Sequence, residues 1–407
     1  METTHYSSRI ISFLGLFVMM GIAWLLSTDK KSIKPRIIIG GLLLQMGLGA
    51  IILGTNQGES FFGVIQNVIN DILNLSDKGA ELVFGKDFRD HFFAFKVTCT
   101  IIYVSTLSYI LFYFGLIQKV IELLARIMSK AMGVSGSESL AMAANVFVGQ
   151  TEAPLLIKPF LKTMTKSELM AMMGGGMATI AGGVLAAYSG MGIDLGDLIT
   201  ASVMSAPAAL LICKIMVPET EVSPTSGAIK ITHKPDEANV FEAAVNGTKD
   251  GLFLALNVAA MLIAFTAIIA LVNYILAIFG GWFGVDVTLQ SIMGFLFQPL
   301  AWIMGVPWAD CYNVGQLIGI KTTLNEFVAY IDLARMIKEG ALSDRSITIA
   351  TYALCGFANF SSIGIQIGGI SSLEPSRKKD LARLGLRAMI AATLAAFMTA
   401  CVAGIFV

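Results

Sequence analysis

Long runs without a charged side chain fix the fold class of this 407-residue chain. Residues 10–28, 37–58, 97–118, 169–193, 251–285, 346–373 and 388–407 are all uncharged and mostly apolar. Roughly 20 such residues cross the bilayer hydrocarbon at a rise of about 1.5 Å per residue. Backbone in hydrocarbon must satisfy its own hydrogen bonds, which leaves the helix as the spanning element for runs of this length. A shorter run, 198–213, spans only with help from its flanks, and 287–309 is interrupted by Gln298-Pro299 and Pro307, so it reads as interfacial or part-spanning. The expectation is an all-α polytopic membrane protein. Only 14% of the residues are charged, against about 25% in soluble domains. The formal net charge of zero argues against nucleic acid as a partner.

Basic residues set the orientation, because they concentrate in cytoplasmic connections. Lys30, Lys31, Lys34 and Arg36 follow the first apolar run directly, so that run reads as a retained helix rather than a signal peptide. Placing them inside, with Arg377, Lys378, Lys379, Arg383 and Arg387, puts both termini on the external side of the inner membrane. About eight crossings satisfy these constraints. The mixed-charge stretch from Pro218 to Asp250 reads as a solvated cytoplasmic loop dividing two halves, and Ser76 to Asp90 as an external surface helix.

Two acidic, amide-rich segments interrupt this apolar background: Asn145 to Pro154 and Gly319 to Tyr330. A carboxylate at membrane depth is costly and marks a place where something is paired, bound or conducted. Each segment is followed by an uncharged helix with a glycine-rich, hydroxyl-bearing break, Gly174 to Gly183 in the first half and Cys355 to Gly364 in the second. Interrupted hydrophobic segments at corresponding places in two halves point to an inverted-repeat secondary transporter whose site lies where the breaks meet. Gln150, Thr151, Glu152, Glu326, Asn359 and Ser362 supply the mixed donors and acceptors that an uncharged polar solute needs. Polar side chains also join helices structurally, and Lys321, five residues before Glu326, is a candidate ion partner for it across the hairpin. His5, His91 and His233 have no partners at ligand spacing, and the five cysteines are scattered singly. No catalytic or phosphate-binding motif appears, so the chain does not read as an enzyme.

The segments Gly319-x-Lys321-x-x-x-Asn325-Glu326-Phe-Val-Ala-Tyr330 and Gly149-Gln-Thr-Glu-Ala-Pro154 resemble the hallmarks of the concentrative nucleoside transporters. Gly305-Val-Pro-Trp308, Leu354-Cys-Gly-Phe-Ala-Asn359 and Pro218-Glu-Thr-Glu221 extend the resemblance along the chain. It implies a homotrimer, with about eight transmembrane helices and two re-entrant hairpins per protomer, divided into a scaffold and a transport domain that moves as an elevator. The hairpins would span about 139–162 and 311–341. Residues 1–138 would form N-terminal helices and part of the scaffold, 139–217 the first repeat, 218–250 the loop, 251–310 a scaffold helix with an interfacial segment, and 311–407 the second repeat. The resemblance further implies that Gln150, Thr151 and Glu152 address the nucleobase, with Val184 and Phe357 in apolar contact. Glu326, Asn359 and Ser362 would hold the ribose. A sodium ion would be caged by carbonyls of Asn145, Val148 and Ile180 and by the side chains of Asn145 and Thr179, where the family commonly has serine. The implied activity is sodium-coupled nucleoside import, with proton coupling, or a nucleoside channel or receptor, as alternatives. Asp310 lies in a stretch that departs from the family pattern and receives no role beyond capping the second hairpin or facing the outer surface.

Overall fold

The computed structural model describes residues 2–91, 93–225, 237–285 and 287–407, and these contain helices and no strand. The first part comprises α1 (Glu2–Leu25), α2 (Pro35–Ile52), α3 (Asn56–Asn74), α4 (Ser76–Phe84), α5 (Thr98–Tyr113) and α6 (Leu116–Met132). A first repeat follows: a hairpin of α7 (Gly136–Asn145) and α8 (Ala153–Leu156), a broken helix of α9 (Lys166–Ala178) and α10 (Gly182–Gly190), and the intact α11 (Leu195–Met216). After α12 (Val240–Phe283) and α13 (Leu289–Ile303), the same order returns. The second hairpin is α14 (Cys311–Thr323) with α15 (Glu326–Lys338), the broken helix is α16 (Asp344–Leu354) with α17 (Phe360–Leu373), and the intact helix is α18 (Lys378–Phe406).

Seven helical segments among the described residues are long and apolar enough to cross a membrane. The second broken helix is not one of them, because α16 and α17 have 11 and 14 residues and each is too short alone. The two intact repeat helices, α11 and α18, pack on each other and on α9, forming the buried centre of the molecule. Their small and branched residues, such as Ala208, Ala209 and Leu210 on α11 and Ala391, Ala392 and Ala395 on α18, are fully buried, as expected where membrane helices gain from close backbone approach.

Two expectations are corrected. Residues 240–250 are not loop: α12 begins at Val240, capped by Asn239, whose side chain accepts from the Phe241 and Glu242 amides. The charged start of this helix lies along α5, with Thr248 bonded to Thr106 and Tyr109 to Asp250. Gly247 and Gly251 permit that contact, since an added Cβ would come within 2.8 Å of the Thr106 and Ile102 Cα atoms. The stretch 76–90 is helical only to Phe84; Gly85 at φ 83° ends the helix and a 3-10 turn follows. His233 lies outside the described residues, as do the side chains of His5 and His91.

Each hairpin is tied at its root to its own broken helix. In the first repeat, the Glu168 carboxylate at the start of α9 accepts from Ser135 Oγ at 2.5 Å and Ser137 Oγ at 3.1 Å at the start of α7. In the second, Asp310 before α14 accepts from the Ser343 amide at 3.1 Å, Ser343 Oγ at 2.7 Å and Ser346 Oγ at 2.6 Å at the start of α16. The carboxylate sits on the hairpin in one repeat and on the broken helix in the other. Burial alone would raise the Asp310 carboxyl, but the hydrogen bonds from Ser346 and Ser343 outweigh it and hold the group below its ordinary 3.8. A depressed folded-state pKa stabilises above the unfolded value and is lost as pH falls through the folded one. The contribution is therefore intact at neutral pH. Asp310→Ala should destabilise the protein by about 1–3 kcal/mol, because three donors lose their acceptor, and thermal unfolding of the two proteins side by side measures this.

Candidate substrate and ion site

The breaks of the two broken helices touch backbone to backbone. Gly356 lies at φ 109°, and a Cβ built there would stand 2.7 Å from the carbonyl carbon and oxygen of Ala178 and 2.8 Å from the Met177 oxygen. Only glycine combines that conformation with that approach. Half-helix ends from both repeats consequently meet in one place, together with the hairpin tips.

One chain of hydrogen bonds runs through this meeting point. Gln366 Nε2 donates to the Met173 carbonyl at 3.0 Å and to Gln150 Oε1 at 3.1 Å. A carbonyl can only accept, so the Gln366 amide orientation is fixed, and with it that of Gln150. Gln150 Nε2 then faces Ser362 Oγ at 3.3 Å. The Ser362 amide, at 3.0 Å, and Ser361 Oγ, at 2.6 Å, donate to Asn359 Oδ1, the N-cap of α17. This turns Asn359 Nδ2 toward Glu326 Oε2 at 3.0 Å, while the Tyr188 hydroxyl donates to Glu326 Oε1 at 3.1 Å. Glu326 opens α15 behind the Asn325 cap, where a helix N-terminus favours negative charge. Glu326, Asn359 and Ser362 are buried and Gln150 is half-buried.

Four of the eight expected substrate residues, Gln150, Glu326, Asn359 and Ser362, are joined in this network. Thr151 instead faces Gly369, where an added Cβ would stand 2.9 Å from its methyl carbon. Glu152 turns back to the amide of Gly149 at 2.9 Å. Val184 is buried on α10 one turn before Tyr188, and Phe357 is half-buried in the second break. Lys321 is not the ion partner of Glu326; its Nζ donates to the Ala353 and Cys355 carbonyls at 2.8 and 3.3 Å. Sequence reasoning missed Gln366 and Tyr188, which hold the two ends of the network. Gln366 lies seven residues after Asn359 and four after Ser362, on one helical face, and that spacing was the available signal.

The expected sodium ligands also gather. The Thr179 hydroxyl sits 2.7 Å from the Asn145 carbonyl and 3.0 Å from that of Gly175. Asn145 is 1% exposed, yet both atoms of its side-chain amide lack a hydrogen-bond partner. They face the glycine pair of α9, with Nδ2 at 3.4 Å from a Cβ built on Gly175 and Oδ1 at 3.3 Å from one on Gly176. Among the described residues no donor is bonded to the carbonyls of Val148 or Ile180. Buried, unpaired polar atoms are costly, and a set of neutral hard oxygens suits a cation without d-electron preferences. The residues therefore fit a sodium ion.

Three family profiles match the chain: "Na+ dependent nucleoside transporter C-terminus" over residues 197–404, "Na+ dependent nucleoside transporter N-terminus" over 14–87, and "Nucleoside recognition" over 94–194. An uncharacterized transporter of Haemophilus influenzae is 46% identical over 98% of both chains. Solute carrier family 28 member 3 of Mus musculus is 43% identical over 98% of this chain, which spans 59% of that longer protein. Among solved structures, CNTnw in an inward-facing substrate-bound state superposes with a TM-score of 0.92 at 42% identity, covering 98% of each chain.

Proposed function

Because the chain belongs to the sodium-dependent nucleoside transporter family, we propose that it imports nucleosides across the inner membrane, driven by sodium. The observation that carries the reading is the single hydrogen-bond chain from Gln366 through Gln150, Ser362 and Asn359 to Glu326 and Tyr188. It places an amide pair at one end and a carboxylate at the other. An amide offers a nucleobase edge both a donor and an acceptor, and a carboxylate accepts from adjacent ribose hydroxyls. In this assignment Gln150, Thr151 and Glu152 address the base with Val184 and Phe357 against its faces, while Glu326, Asn359 and Ser362 hold the sugar.

Sodium enters as cargo. Asn145, Val148, Thr179 and Ile180 surround it, and its charge relieves the unpaired Asn145 amide oxygen. Bound there, the ion fixes the end of α7 against the first break, which sets the tip carrying Gln150. Substrate then binds to a preorganised site. Loaded hairpins and broken helices would move together as an elevator against α12, very little of whose apolar length is buried in one protomer; this face is the proposed contact between the three subunits of a homotrimer. Both termini lie outside in this arrangement.

Proteoliposome uptake of labelled uridine under an inward sodium gradient tests the proposal, with accumulation above equilibrium expected. Uptake indifferent to sodium but driven by a proton gradient would reject the ion assignment, and equilibration without accumulation would indicate a channel. In the same assay Asn145→Ala should raise the sodium concentration for half-maximal uptake by about tenfold or more, the equivalent of roughly 1.4 kcal/mol of lost ligation. An unchanged sodium dependence would remove Asn145 from the cage.

A further inference from the structure

The two repeats fill one equivalent position differently. In the first, Asn145 ends α7 and lies 34 residues before Thr179, the C-cap of α9. In the second, Lys321 lies near the end of α14 and 34 residues before Cys355, the C-cap of α16. Both side chains thus belong to the first arm of a hairpin and face the half-helix leading into a break. The last carbonyls of a helix have no intrahelical partner and carry partial negative charge. At Asn145 the side chain is neutral and its amide atoms are unpartnered. At Lys321 an ammonium is present: 1% exposed, it donates to the Ala353 and Cys355 carbonyls. It forms no ion pair with a carboxylate among the described residues. A buried ammonium ligated by neutral carbonyls is held as a bound cation is held.

We infer that the Lys321 ammonium is a tethered cation, doing for the second break what a mobile sodium ion does for the first, and that its position is a latent site for a small monovalent cation. This rests on the sodium reading of the Asn145 cage. Cys355 is followed by Gly356 and, three residues further, by Asn359, so the carbonyls that Lys321 holds belong to the segment that aims Asn359 at Glu326. Lys321 is a positioning residue: it reaches the substrate through the break. A lysine there makes the second break independent of any ion gradient, so one repeat responds to sodium and the other is set permanently.

The test is uridine binding by calorimetry to the purified full-length protein in nanodiscs, at fixed saturating sodium, while methylammonium is titrated against choline. Lys321→Ala is expected to weaken uridine binding by about tenfold or more, a loss of one decade in Kd. Methylammonium, small enough to enter the vacated position, should restore binding to within about threefold, and choline should not. Lys321→Arg should stay close to the wild type, which should ignore methylammonium. Wild-type binding by Lys321→Ala, or a loss that methylammonium does not repair, overturns the inference. If Lys321→Ala is not recovered folded, its recovery in methylammonium but not in choline supports the tethered cation, and equal failure in both overturns it. Should the wild type bind uridine equally in sodium and choline, the sodium reading of the first repeat fails, while the methylammonium comparison still decides the role of Lys321.

Discussion

Glu326→Gln should lower uridine uptake by roughly 100-fold or more with little change in thermal stability. The carboxylate has about four lone-pair positions, and the Tyr188 hydroxyl and Asn359 amide use two of them. Two remain for the adjacent hydroxyls of a ribose. Hydrogen bonds to a charged group contribute about 1.5–3 kcal/mol each, so the pair amounts to about 3–6 kcal/mol, or two to four decades in affinity. Glutamine can still be folded into this site. Its oxygen must face Asn359 Nδ2, because Asn359 Oδ1 is already held by the Ser362 amide, and its nitrogen then faces the Tyr188 hydroxyl, which can accept. The network survives with one acceptor fewer and no charge. Uptake near the wild-type rate, in protein with an unchanged melting temperature, would remove Glu326 from the site.

Gly356→Ala should have the largest structural effect of any single methyl added to this chain's second break. The residue occupies φ 109°, and the added carbon would lie within 2.8 Å of three backbone atoms of Met177 and Ala178. A non-glycine residue held in such a conformation costs about 1–3 kcal/mol, and a backbone clash that no rotamer can relieve adds to it. A total of about 3–5 kcal/mol is at the upper end for point substitutions. Gly364→Ala is the matched control: it lies inside α17, and nothing lies within 4 Å of the added carbon. Alanine should there be neutral or slightly stabilising, by up to about 1 kcal/mol. Thermal unfolding of the pair separates the effects, and equal melting temperatures would show that the two breaks do not depend on backbone contact.

The spans, the repeat and the carboxylates were legible because hydrocarbon makes charge expensive, so Glu326 stands out against its apolar neighbours. Gln150 was reached from its place in the first amide-rich segment, whereas Asn145 was reached only through the family resemblance. Tyr188 and Gln366 were not, since one tyrosine or glutamine in a membrane helix also serves packing or helix contact. Lys321 was seen but given the wrong partner: sequence proximity suggested Glu326, whereas the ammonium reaches the carbonyls that the break in α16 leaves open. The start of α12 was hidden because its first turns carry charges, although Asn239 with Glu242 three residues on is a recognisable capping pattern. The amphipathic α3 and α6 fell outside a search for uncharged spans for the same reason.

The carboxylate ties at the hairpin roots make each hairpin a beam clamped at one end and propped at the other. Glu168 clamps one beam and Asp310 the other, while the far ends are held separately, Gln150 by Gln366 and Ser362 and Glu326 by Tyr188 and Asn359. Cutting the tip contacts would let each beam bend without unfastening its root. Spin labels at positions 149 and 324 should therefore report broader distance distributions once Gln150→Ala and Glu326→Ala remove the tip contacts, while labels beside 137 and 346 stay narrow.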